Sequence, residues 1–84
     1  MRKAIVTYPS KVDTNGEILE SVEVERQIIQ SKEQFGDYKK QFPIYYPTVK
    51  PLFERELREG NTIIINNNGG WCIETEEIKI VKYL

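Results

Sequence analysis

The stretch "YKKQFPIYYPTVKP", residues 38–51, carries the side chains best suited to gripping a partner: Tyr38, Lys39, Lys40, Tyr45, Tyr46 and Lys50. A lysine ammonium takes a phosphate or a carboxylate. A tyrosine ring stacks a nucleic-acid base for about 1–3 kcal/mol, and it equally anchors protein interfaces, because it offers rigid area plus a hydroxyl. These six residues are the candidate partner-binding set. Pro43, Pro47 and Pro51 stiffen the same stretch, which lowers the entropy lost when something docks on it. The residue before a proline is pushed away from helix, so 43–47 is expected to be extended. Neighbouring side chains of an extended segment diverge; one of Tyr45 and Tyr46 should therefore face the core and the other the solvent. Structurally, the stretch is also the joint between two helices.

Other chemistry is thinly supplied. Histidine is absent, which removes the usual general base at neutral pH and the commonest transition-metal ligand. A nucleophile would have to be Cys72, Ser10, Ser21, Ser31 or a threonine, and none sits in a glycine-rich elbow. Cys72 lies between Trp71 and Ile73 and reads as a small buried apolar residue, dispensable for activity. The 13 carboxylates admit paired acid–base chemistry by residue type. An 84-residue chain, however, has little room for a substrate cleft of about 300 Å³ or more. "NNNGG" (66–70) lacks phosphate-loop spacing and reads as a hairpin turn that needs positive φ. "VDTNGEILE" lacks the acidic spacing of a calcium loop. Neither a cofactor nor a metal is expected. Glu23 and Glu25 would stand about 6.8 Å apart on one face of a strand, a spacing broadly like that of successive phosphates. The plain reading is a solvated outer face.

These residues have to be positioned by a single domain spanning 1–84. A chain of this length buries only roughly 60% of the surface it exposes when unfolded, so association into a homodimer is expected to add buried area, with open sheet edges as the pairing templates. Hydrophobic residues make up 39% and charged residues 30%, as in globular domains. The net charge of −1 gives no whole-molecule attraction for nucleic acid or for an anionic membrane. No apolar run approaches a membrane span and the start, "MRKAIVTYPS", lacks a signal-peptide core; a cytoplasmic protein is expected. Ile, Lys, Asn and Tyr are abundant and have AT-rich codons, which associates the chain with low-GC bacteria and their phages.

"RKAIVTY" (2–8) reads as a strand that ends at Pro9 or lies at an edge. Asn15-Gly16 marks a turn. "ILESVEVERQII" (18–29) alternates valine with glutamate and favours strand, although Ile18, Val22 and Ile29 also lie near one helical face. Ser31 and Gln34 have capping-box spacing, so a short helix starts near 32 and stops at Pro43. "TVKPLFERELREG" is a helix with Thr48 as cap, Pro51 in the first turn and Gly60 past the end. Strands follow at 61–66, 71–74 and 78–84, the first an isoleucine run buried on both faces. In the last strand Ile78 and Ile80 are expected inward, with Val81 as a further candidate.

The order β-β-α-α-β-β-β indicates an α+β fold: a small antiparallel sheet or partly open barrel of about five strands with a two-helix insert. Trp71, the tight turn at 75–77 and the short final strand resemble the closing strands of small SH3-like barrels, over about fifteen residues. The expected function is that of a small non-enzymatic binding protein acting through protein–protein contact, a regulator or inhibitor of a host factor of the phage or mobile-element kind. The alternative is a single-stranded nucleic-acid binder using the Tyr/Lys patch at 38–50.

Overall fold

The computed structural model describes residues 1–84 as a five-strand antiparallel sheet with two helices packed on one face. The strands are β1 (Arg2–Val12), β2 (Ile18–Ile29), β3 (Ile63–Ile65), β4 (Trp71–Ile73) and β5 (Lys79–Tyr83). A single 3₁₀ turn at Lys32–Gln34 leads into α1 (Phe35–Gln41), and α2 (Tyr46–Arg58) follows. The sheet order is β4-β3-β2-β1-β5, so the last strand returns to the first.

The turn joining β1 to β2 is built by Asp13. One carboxylate oxygen accepts the backbone N–H groups of Asn15 (2.9 Å) and Glu17 (2.8 Å), and Gly16 supplies φ = 84°. The helical alternative for 18–29 is not adopted. Valines on alternate positions fit the pleat, and β2 pairs with β1 from Ile18↔Val12 to Ile28↔Arg2. Pro9 does not end β1. The strand runs on to Val12, with its register shifting between Pro9 and Lys11. β5 pairs only with residues 4–7 of β1, so the N–H that Pro9 lacks falls on a bare edge.

The isoleucine run of β3 feeds two cores. Ile63 and Ile65 join Ile29, Phe35, Tyr38 and Phe53 beneath the helices. Ile64 joins Ala4, Val6 and Ile28 on the other face, flanked by Tyr8, Cys72, Ile78 and Ile80. Val81 points to solvent. On this second face the Tyr8 hydroxyl lies 3.9 Å from Cys72 Sγ. β1 and β4 are three inter-strand steps apart, roughly 14 Å on a flat sheet, so the sheet curls toward this cluster.

The ends of α2 show where local rules compete. Gly60 (φ = 86°) stops it, with Asn61 N–H donating to Glu56 O (2.9 Å) and Gly60 N–H to Leu57 O (3.0 Å), a Schellman closure. The start differs from expectation. Thr48 is not the cap, because Pro47 already occupies the first turn and the helix begins at Tyr46. A proline there gives up a donor that has no intrahelical partner. Pro51 consequently sits inside the helix, on its exposed side.

Beyond the helix-covered part, β1 and β2 run on together as a two-stranded arm. β3 pairs with β2 only at Gln27, Ile28 and Ile29. Val12, Ile18, Leu19 and Val22 are all exposed on this arm, Leu19 to 67%.

Candidate protein-contact surface

The candidate surface begins in the core. The Phe35 and Phe53 ring centroids are 5.9 Å apart, Phe53 meets Tyr38 edge-on at 5.1 Å, Tyr38 meets Phe42 at 5.1 Å, and Phe42 stacks on Tyr45 at 6.5 Å. Trp71 adds an edge-on contact to Phe53 at 5.3 Å. Each pair lies in the range where ring quadrupoles attract. Together the rings run from the centre of the domain to its surface and end at Tyr45.

Gly69 locks the outer end. Its φ of 90° is open to glycine. A Cβ there would stand 2.7 Å from Phe42 Cδ1 and 2.9 Å from Tyr45 Cδ2. The Tyr38 hydroxyl donates to Gly69 O at 2.6 Å. Burial, and then the neighbouring Tyr45 phenol, push the Tyr38 hydroxyl above the usual tyrosine pKa. "NNNGG" is therefore a turn with a second duty: it forms the seat on which the aromatic joint rests. Asn66 N–H bonds Gly70 O (2.8 Å) and Gly69 N–H bonds Asn66 O (3.1 Å) to close it.

Beside Tyr45 lies a recess of about 340 Å³ lined by Tyr45, Thr48, Val49, Asn68, Gly69, Gly70 and Trp71. Ile44, at the tip of the joint, is 86% exposed and Tyr45 is 51% exposed. A half-exposed phenol thus stands at the rim of a concave surface, with a large exposed aliphatic next to it in the chain.

The six expected residues separate. Tyr45 faces solvent, while Tyr46 is half-buried and packs on the helix-side core, the divergence foreseen for the pair. The means is different. Residues 43–45 form a turn rather than an extended segment, with Tyr46 N–H donating to Phe42 O (3.1 Å) and Val49 N–H to Tyr45 O (3.1 Å). The preference against helix before Pro47 is overridden as Tyr46 settles on the core. Tyr38 leaves the patch altogether: its side chain is fully buried. The spacing of Phe35, Tyr38 and Phe42, three and then four residues, is that of one helical face, a signal outweighed in sequence by the adjacent lysines.

The lysines do not converge. The Lys39 ammonium lies 5.6 Å from the Tyr46 ring centroid, within cation–π range. Lys50 pairs with Glu54 at 3.2 Å. Lys40 lies on a separate recess of about 250 Å³ with Met1, Lys3, Gln27, Asp37 and Gln41. There the Met1 ammonium bonds Asp37 and holds its carboxyl below the ordinary aspartate range.

Cys72, expected in the interior, is only half-buried, because it lies on β4 at the sheet's edge. Beside it, Tyr8 has its pKa raised, by burial first and then by Cys72. No three acidic or cysteine side chains gather in a group that could hold a metal ion. No helix is long and apolar enough to cross a membrane.

No family model matches this chain, and neither a curated protein nor a solved structure matches it at a significant level.

Proposed function

We propose that the chain is a non-enzymatic protein-binding module, a regulator or inhibitor of a host factor, that presents Tyr45 and Ile44 to its partner. The observation that carries this reading is the exposed end of the aromatic series. Tyr45 stacks on Phe42 at the rim of the 340 Å³ recess. A ring held from below loses little freedom on docking, and a partner side chain entering the recess would bury against Val49 and Trp71. Such anchored aromatics at concave sites are the usual source of interface hot spots. The separation of the lysines, with Lys50 engaged by Glu54, favours a protein over a nucleic-acid strand.

The finer reading of the fold is an SH3-like, partly open barrel. It is supported by the return of β5 to β1 and by the curl that brings Tyr8 to Cys72. Homodimer formation belongs to the same proposal, with the outer edges of β4 and β5 as the pairing lines.

A photo-crosslinking amino acid at position 44 in the native host identifies the partner, which is then purified. Tyr45→Ala should weaken binding by about 2 kcal/mol or more while the melting temperature holds. An unchanged affinity would remove Tyr45 as the anchor. If the crosslinked species is single-stranded nucleic acid, and affinity falls steeply as salt rises, the protein-binding reading is overturned.

A further inference from the structure

The arm carries an inference independent of the Tyr45 surface. β2 has β1 on one side for its whole length, but β3 on the other side only at Gln27–Ile29. From Ile18 to Arg26 its outer edge has no strand beside it: no backbone hydrogen bond outside the β1 ladder reaches these residues, and the one acceptor taken by a side chain is the Glu25 carbonyl, bonded by the Arg26 guanidinium at 3.0 Å. β3 leaves the line of the sheet at Asn66, where the chain turns. Between the Tyr8, Val22, Val24 and Arg26 face of the arm and the turn at Asn66, Asn67 and Asn68 lies a recess of about 480 Å³.

The two faces of this edge differ in chemistry. Val22 and Val24 stand opposite Tyr8 and Val6, and so belong to the face that carries Ala4, Val6 and Ile64. Glu23 and Glu25 stand opposite Thr7 and Ile5 on the other face, and both are exposed. Glu20 does not join them: it falls on the Val22/Val24 face and is paired with Lys11 at 3.4 Å. The one cation of this edge, Arg26, is turned inward: its guanidinium lies 5.7 Å from the Tyr8 ring and donates to the Glu25 carbonyl.

We infer that the bare edge of β2 receives an extended strand from another protein, with apolar residues alternating with lysine or arginine. The strand continues the line of β3. Its backbone groups complete the ladder, its apolar side chains lie on Val22 and Val24, and its cations face Glu23 and Glu25. This is recognition by strand addition, in which the main chain supplies affinity and alternate side chains supply specificity. A second copy of β2 is the poorer occupant, since it would bring the same glutamates to the seam and like charges across strands destabilise.

The probe is a synthetic peptide of alternating valine and lysine, about six residues long, titrated into the isotopically labelled protein. The expected result is a set of amide shift changes confined to 18–26, Tyr8 and Asn66–Asn68. N-methylation of the peptide amides that face β2 should weaken binding by at least about tenfold. The double variant Glu23→Lys, Glu25→Lys replaces two exposed side chains and leaves the core intact. It should lose the Val/Lys peptide and gain the matching Val/Glu peptide. Shift changes elsewhere, indifference to N-methylation, or equal binding of both peptides would overturn the inference. So would a dimer, found without peptide, in which the amides of 18–26 are protected, because the second copy would then be the occupant. Asn68 lines both recesses, so Tyr45→Ala serves as the control: it should leave binding of the Val/Lys peptide unchanged, and the outcome then does not bear on the Tyr45 surface.

Discussion

The helix-covered half of the sheet and the β1–β2 arm are made of the same two strands and differ in almost every other respect. Under the helices, Ile28 and Ile29 are fully buried and meet rings on one face and aliphatics on the other. Some ten residues earlier on the same strand, Ile18 and Leu19 are exposed with only β1 beside them. A two-stranded ribbon alone is marginal in water. The comparison shows that strand length in this protein is set by the hairpin register, whereas stability is set by where the helices land. The packed half specifies the fold, and the arm is left free to meet something else.

The largest expected separation between the halves comes from truncating an apolar side chain in each. Phe53→Ala removes the ring that touches Phe35, Tyr38 and Trp71 and should cost about 3–5 kcal/mol. That is enough to unfold a domain whose whole stability is of order 5–10 kcal/mol once modest denaturant is added. Urea titration followed by tryptophan fluorescence reads it. A loss below about 1 kcal/mol would mean that the aromatic series is not the structural centre.

Two glycines sharpen the comparison. Gly69 and Gly16 both have positive φ, but a Cβ on Gly69 meets Phe42 and Tyr45 whereas one on Gly16 meets nothing within 4 Å. Gly16→Ala should cost about 1–2 kcal/mol, the backbone strain alone. Gly69→Ala adds displacement of the rings and should cost about 2–4 kcal/mol. It should also displace Tyr45, visible as changed ring resonances. Equal costs would show that the packing at Gly69 is slack.

Alkaline titration gives a smaller effect. The folded pKa of Tyr38 is raised above the unfolded value of about 10. Stability from the neutral phenol is therefore complete below pH ~10 and is lost as pH rises through the folded pKa. Tyr38→Phe should flatten the fall in melting temperature above pH ~10, at a constant offset for the lost bond to Gly69. An unaltered alkaline slope would rule out Tyr38 as the group responsible. The smallest effect is expected in the arm, where Leu19→Ser should change stability by no more than about 0.5 kcal/mol. A larger loss in dilute monomer would mean that the arm is packed in solution.

How much of this was legible in the chain depends on the range of the interactions involved. Alternation made β2 readable, the isoleucine run announced burial on both faces of β3, and Gly60 marked the helix end; each is a local preference that packing then reinforced. The start of α2 lies three residues before the expected one, with Tyr45 and not Thr48 at the cap position, because Thr48 is a good cap in isolation, whereas Pro47 acts only relative to the turn before it. Tyr38 was assigned to the surface because Lys39 and Lys40 adjoin it in sequence, although helical spacing sets it beside Phe35 and Phe42. That one of Tyr45 and Tyr46 faces solvent is legible from their adjacency; which one depends on Tyr46 packing on the helix-side core. The bare edge of β2 was not legible. It exists because β3 stops at Ile65 and pairs with the end of β2, a register fixed by contacts between residues far apart in sequence.

Pro9 has one more consequence. It lies on the outer side of β1, beyond the reach of β5, at the point where the register shifts. A strand approaching that side meets a missing donor and a bulge, both of which discourage edge-to-edge growth. The opposite side, along β2, has no such obstacle. Strand addition to the arm is thus one-sided, open along β2 and hindered along β1. A ribbon with two receptive sides can template a fibre; with Pro9 in place, the arm does not extend a stack through its β1 side.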